Sequence, residues 1–363
     1  MDYTKPLRYH YKPKRGWMND PNGLVYFKGY YHVFYQHAPH YPVPWQEPMH
    51  WGHARTKDFL NWEELPVALT PGASYDTGGC WSGTAIVKDG KLYLFYAAIT
   101  AVSAVAVAVS EDGVHFEKCA ENPVIPTFPP EGGPDFRDPA VCCIDGAYYC
   151  IVASGNPQTK TARLLLYRSE NLFSWEFRSV LAEWKDAKYA ECPSIVPLPD
   201  GKCLLATSVC NLDETHFFQI MLGSLENGVF RPELSDRFDK GPDQYAGQLF
   251  KGADGTPLLI TWIPGWKYAG FKEGTDVGCL SVPRKITVCD GRICGQPAKE
   301  IAHLFKTSDS RIETTEHGFT VERKERPSLV HKGVVRDLLI LRDEYIMEIF
   351  VNGGETVYSL MLC

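Results

Sequence analysis

Three carboxylates sit in unusual local settings: Asp20 in Trp17-Met18-Asn19-Asp20-Pro21-Asn22-Gly23, Asp138 in Phe136-Arg137-Asp138-Pro139, and Glu191 in Ala190-Glu191-Cys192-Pro193-Ser194. Taken singly, Asn-Asp-Pro-Asn-Gly is turn chemistry, and an aspartate before proline reads as a strand-end turn. Glu191 is different. It stands between Ala190 and Cys192 ahead of the apolar run Ile195-Val196-Pro197-Leu198, where a carboxylate needs a partner or a task. Together the three suggest acid-base work. Two carboxyl groups about 5–5.5 Å apart across a glycosidic bond are what retaining glycoside hydrolysis requires, one as nucleophile and the other as acid and then base. Apolar surroundings would keep Glu191 protonated for the acid step, while turn amides and Asn19 would hold Asp20 ionised. Asp138 would then bind hydroxyls.

Residues so far apart in the chain need a scaffold that gathers them, and the sequence contains one. Asp89-Gly90, Asp145-Gly146, Asp200-Gly201 and Asp254-Gly255 each open an apolar run, and Lys28-Gly29 opens an earlier copy; the spacing is that of propeller blades. Each copy reads as a tight turn leading into a buried strand. A second series, Lys57-Asp58-Phe59-Leu60-Asn61-Trp62, Glu111-Asp112-Gly113-Val114-His115-Phe116 and Glu170-Asn171-Leu172-Phe173-Ser174-Trp175, reads as outer-strand hairpins. Helical periodicity is scarce, so the fold class is all-β: a five-bladed β-propeller over residues 1–298. All nine Trp lie between Trp17 and Trp266, and the composition changes from about Lys299. Residues 299–363 read as a short, truncated β-sandwich with an Asn-Gly turn at Asn352-Gly353.

The composition narrows the class. At 363 residues and a formal net charge of −7, without long basic runs, the chain is a poor partner for nucleic acid. Neither an apolar run of membrane-spanning length nor a Walker or dinucleotide glycine pattern occurs, so membrane association and nucleotide cofactors are not expected. The N-terminus lacks the apolar stretch of a secretory signal, and the twelve cysteines are scattered without C-x-x-C spacing; both point to a cytoplasmic protein with free thiols. His50 and His53 have metal-like spacing but no third ligand group, so no metal is expected. Cys192 reads as a neighbour that tunes Glu191 rather than as a nucleophile.

Further motifs follow in order: Met49-His50-Trp51-Gly52-His53, Trp62-Glu63-Glu64-Leu65-Pro66, Trp81-Ser82-Gly83, Arg137-Asp138-Pro139, Glu191-Cys192-Pro193, Leu280-Ser281-Val282-Pro283-Arg284 and Phe350-Val351-Asn352-Gly353-Gly354-Glu355. With Trp17-Met18-Asn19-Asp20-Pro21-Asn22-Gly23 at their head, they resemble glycoside hydrolase family 32, the β-fructofuranosidases that include invertase, sucrose-6-phosphate hydrolase, inulinase and levanase. The resemblance covers nearly the whole chain. It implies a retaining hydrolase that releases terminal β-D-fructofuranosyl units from sucrose, sucrose 6-phosphate or short fructans without a cofactor. Asp20 would be the nucleophile, Glu191 the acid and base, and Asp138 the stabiliser of the oxocarbenium-like transition state. Trp17, Asn19, Gln36, Trp45, Trp81, Ser82, Arg137, Asp243 and Trp262 would line the sugar pocket. A related arabinofuranosidase, a fructosyltransferase and a non-catalytic fructoside-binding propeller are the alternatives.

Two departures concern the rim of that pocket: Gly247 stands where the family usually has proline, and Ala97-Ala98 replaces a Thr-Gly pair. The third is the tail, which keeps only part of the family's sandwich; exposed sheet edges there suggest a homo-oligomer in which a second copy covers them.

Overall fold

The computed structural model describes residues 5–266, 278–315 and 317–362. Strands dominate it, and among the described residues no helix is long and apolar enough to cross a membrane. Among the described residues five antiparallel sheets follow one another between Trp17 and Pro297, four of them with four strands and the last with an added two-residue strand. Their first strands are Trp17–Phe27, Gly79–Lys88, Asp135–Ile144, Ala187–Pro197 and Tyr245–Lys251. Each first strand packs against the next, and the fifth returns to the first, so the sheets close a ring. The ring is sealed where Leu280 N–H donates to Tyr11 O (2.9 Å) and Tyr11, Met18, Leu24 and Tyr31 pack with Phe250, Leu258 and Ile260.

Local chemistry explains the repetition. Lys28-Gly29, Asp89-Gly90 and Asp145-Gly146 all have positive φ at both residues, the geometry of the tight turn whose twist matches a hairpin. At Asp200-Gly201 and Asp254-Gly255 only the glycine is left-handed, and each aspartate accepts from the N–H two residues on. The outer hairpins share a different device. Thr56, Ser110 and Ser169 hydroxyls accept from the N–H three residues on, while Asp58, Asp112 and Asn171 each accept from two following amides. Side chains thus satisfy turn amides that would otherwise compete for the ladder. Within a sheet the second strand is almost wholly buried, whereas the outermost alternates, as in Glu176–Lys185.

Beyond the ring lie two three-stranded sheets. Ile312–Thr315, Gly318–Val321 and Leu329–Lys332 form one; Leu338–Asp343, Ile346–Val351 and Thr356–Met361 form the other. Phe319 and Val321 meet Ile340, Ile349, Val351 and Leu360 between them.

This C-terminal unit is joined to the ring by buried charge. Arg284, fully buried, donates to Glu348 Oε2 (2.8 Å) and Asp239 Oδ2 (2.5 Å). His10 bridges Asp343 Oδ2 and Glu348 Oε1, both at 2.9 Å. Burial opposes a charge on His10, but the two carboxylates outweigh it and push its pKa up to about 9. Because the folded-state value lies above the ordinary 6.5, His10 contributes stability that is complete below pH 6.5 and is lost as pH rises through 9. Unfolding free energies from urea titrations of the protein and of His10→Gln should therefore differ most near pH 6. The gap should narrow by on the order of 3 kcal/mol by pH 10; a constant gap would mean an unshifted His10, and a gap that widens as pH rises would mean His10 is held neutral in the fold.

Candidate active site

Each first strand slips by one residue against its partner near the same end of the ring, and Trp17–Phe27 and Ala187–Pro197 each carry a second slip. The register slips by one between Met18 and Pro21, Trp81 and Gly83, Arg137 and Ala140, Glu191 and Ser194, and Tyr245 and Gln248. A bulge turns side chains out of strict alternation. The residues in these bulges include Asn19, Asp20, Ser82, Asp138 and Cys192, and proline follows Asp20, Asp138 and Cys192, where no ladder amide is needed. Asp138 and Cys192 have φ of 56° and 49°, a left-handed conformation that costs a non-glycine residue about 1–3 kcal/mol. Gly83 is fixed by space, since a Cβ there would lie 1.9 Å from Phe95 O.

The bulges open onto a cavity of about 510 Å³, a size typical of small-molecule sites at about 300–1,000 Å³. Asn19, Asp20, Gln36, Trp45, Trp81, Ser82, Arg137, Asp138 and Glu191, all expected from the sequence, line it. Ser82 Oγ donates to Asp20 Oδ2 (2.7 Å), and the Cys192 thiol stands 3.4 Å from the same oxygen. Cys192 N–H donates to Asp138 Oδ2 (2.8 Å). Arg137 Nη2 donates to Glu191 Oε1 (2.7 Å), and the Tyr245 hydroxyl donates to Glu191 Oε2. Arg137 also pairs with Asp135 and lies over the Tyr189 ring at 5.0 Å.

Three expectations need correction. Trp17 and Trp262 do not line the cavity: both are buried behind it, Trp17 donating through Nε1 to Asn19 Oδ1 (2.7 Å) and packing edge-on with Trp262 at 5.9 Å. Asp243 does not line it either. Its carboxylate faces the C-terminal unit, where Arg323 and Arg326 take it up. The surroundings of Glu191 are polar rather than apolar, because a guanidinium and a phenol reach it from other sheets. Sequence reasoning also missed Trp266, which lines the cavity and stacks with Trp45 at 6.3 Å, and Tyr245 as a partner of Glu191. The Trp262-Ile263-Pro264-Gly265-Trp266 turn was the available signal for the first. His50 and His53 lie three apart on a strand and so point to opposite faces, with His53 bonded to His32.

Crowded negative charge sets the electrostatics. Burial, with the Glu191 charge added, raises the Asp20 pKa, although Ser82 pulls it down. Burial and the Glu191 charge outweigh the hydrogen bonds from Ser82, Asn19 and Cys192, so the expected depression does not occur. Burial raises Asp138 to about 7, with Arg137 opposing and the Glu191 and Asp20 charges assisting. Burial and the three carboxylates push the Cys192 thiol well above its usual range, so it is a hydrogen-bond donor and not a thiolate.

Comparison with known proteins places this arrangement. Residues 10–297 match the model for the N-terminal domain of glycosyl hydrolases family 32. A sucrose-6-phosphate hydrolase of Zymomonas mobilis is 36% identical over 346 residues, which span 86% of this chain and 67% of that protein. A levanase of Bacillus subtilis is 33% identical over 83% of this chain and 48% of its own length. Among solved structures, a GH32 beta-fructofuranosidase of Bombyx mori in complex with sucrose superposes with a TM-score of 0.85 at 28% identity, covering 98% of this chain and 88% of that one.

The coupling among the carboxylates is measurable without substrate. In Asp20→Asn the titration of Asp138 should move down from about 7, since a like charge has been removed. Carbon-detected NMR of labelled aspartate reads this; an unmoved titration would mean the two groups do not sense each other.

Proposed function

Because the chain belongs to glycoside hydrolase family 32, we propose that it is a retaining β-fructofuranosidase that releases terminal β-D-fructofuranosyl units from sucrose, sucrose 6-phosphate or short fructans. The observation that carries this reading is one cavity in which three carboxylates from three sheets are held by different donors. Asp20 is the nucleophile: Oδ2 is fixed by Ser82, and Oδ1 accepts no hydrogen bond. Its attack on the anomeric carbon forms a carboxylate ester as the glycosidic C–O bond breaks. Glu191 delivers its proton to the departing oxygen and then takes one from water, whose oxygen displaces Asp20 and frees fructose. Arg137 and Tyr245 hold the two Glu191 oxygens so that one carboxyl serves both steps. Asp138 accepts from sugar hydroxyls, and its bond to Cys192 N–H keeps it in place. Trp45, Trp81 and Trp266 form an aromatic rim against which the leaving part packs. The described cysteines are all free thiols, which supports a cytoplasmic setting.

Fructose release from sucrose and sucrose 6-phosphate is the direct assay. Asp20→Asn and Glu191→Gln should each lower kcat by about 10³-fold or more, and methanol present as acceptor should yield the β-methyl fructofuranoside. Either variant at near wild-type rate, or an inverted product, would sink the assignment. Ser82→Ala removes a donor that holds the Asp20 pKa down. The acid limb of kcat/KM should therefore shift to higher pH, since the nucleophile must be ionised; a shift to lower pH would contradict the role of Asp20.

A further inference from the structure

The stretch from Asp239 to Asp243 ties the C-terminal unit to the strand that carries Tyr245. It lies along the strand Thr356–Met361 and is bonded to every second residue. Lys240 N–H donates to Val357 O (2.8 Å), Ser359 N–H to Asp239 Oδ1 (2.9 Å), and Met361 N–H to Asp243 Oδ2 (2.9 Å). The approach is close: a Cβ on Gly241 would lie 2.1 Å from Ser359 O. Both carboxylates of the stretch are also held by arginines. Arg284 and the Ser359 hydroxyl take Asp239, while Arg323 and Arg326 take Asp243. The Asp243 and Arg323 side chains are 5% and 4% exposed, so water does not screen the pair. Two residues beyond Asp243 the chain enters the strand Tyr245–Lys251, and the Tyr245 hydroxyl ends on Glu191 Oε2.

From this geometry we propose that the C-terminal unit is part of the catalytic apparatus: Arg323, with Arg326, acts through Asp243 as a positioning residue that seats Tyr245 on Glu191. The inference rests on the reading of Glu191 as acid and base. A phenol that donates to a carboxylate favours its ionised form and fixes its rotamer. A displaced Tyr245 would leave Glu191 with Arg137 as its remaining donor and let the carboxyl swing from the leaving oxygen. Glu191 is faced by Arg137, Tyr245, Asp20, Asp138 and Cys192, and Tyr245 by His216 at 5.0 Å. None of these groups is altered in the variants below except Tyr245 itself.

The test is a mutant cycle on the full chain with sucrose, in Arg323→Gln, Tyr245→Phe and the double variant. Each single variant should lose about tenfold or more in kcat with KM within about twofold, and the alkaline limb of kcat/KM should move to higher pH in both. The double variant should be no worse than Tyr245→Phe alone. Should Arg323→Gln fail to fold, Asp243→Asn, which keeps an acceptor for Met361 N–H, and the more exposed Arg326→Gln carry the same comparison. A folded variant with wild-type kcat and pH profile, or losses that add in full, overturns the coupling. Wild-type protein that leaves sucrose, sucrose 6-phosphate and short fructans all intact, or an active Glu191→Gln, instead overturns the reading of Glu191.

Discussion

The innermost strand of each sheet in a closed ring has a hydrogen-bonded neighbour on one side only. Its other edge faces the axis. That edge is the one place in the ring where an extra residue or a proline costs no ladder bond, and the whole site depends on it. Asp20-Pro21, Asp138-Pro139 and Cys192-Pro193 occupy three such edges, and each bulge aims a polar group toward the axis instead of into the neighbouring sheet. Strand interiors below the bulges supply the apolar packing between sheets, as Ile195, Leu205 and Met221 do. The fold therefore separates two tasks along each strand: a strained, polar mouth and a regular, apolar body.

The mouth carries an electrostatic cost. Asp20, Asp138 and Glu191 share one cavity with a single guanidinium, that of Arg137, which is already engaged by Asp135 and Glu191. Desolvation and mutual repulsion raise Asp20 and Asp138, and they leave Cys192 as a neutral donor between the two. Such groups titrate as a set, so a pH profile reports the cluster and not one residue. In the proposed mechanism a cationic, oxocarbenium-like transition state would relieve the repulsion that the free site bears, so that stored like charge would stabilise the reaction more than the resting protein.

What was legible in the sequence was local. The turn pairs at Asp89-Gly90 and Asp145-Gly146, and the hydroxyl-carboxyl turns at Thr56 and Ser110, are satisfied within a few residues, so repeat spacing and sheet composition could be read directly. The three carboxylates were legible because each sits in a motif that is odd by itself. Arg137 and Ser82 were expected in the pocket, but which carboxylate each would hold was not. Arg137 and Tyr245 each lie 54 positions from Glu191, and no local pattern announces that they converge there. Asp243 misled for the same reason: the arginines that capture it come from 80 and 83 residues later.

That capture also bears on why the junction with the C-terminal unit carries buried ion pairs beside its apolar contacts. Two apolar faces can slide by a residue pair with little loss, because area is insensitive to register. A buried guanidinium cannot: displaced from Asp239 and Glu348, Arg284 would be an uncompensated charge, and the same holds for Arg323 and Asp243. Net stability is a weak reason for such pairs, since matched apolar side chains often do as well. Registry is a stronger one here, because a slip of one residue along Thr356–Met361 would turn its bonded edge away from Asp239 and Asp243. The hydrogen bond from the Tyr245 phenol to Glu191 tolerates far less movement than that. An ionic seam two residues from Tyr245 is the kind of contact that holds it to a fraction of a strand repeat.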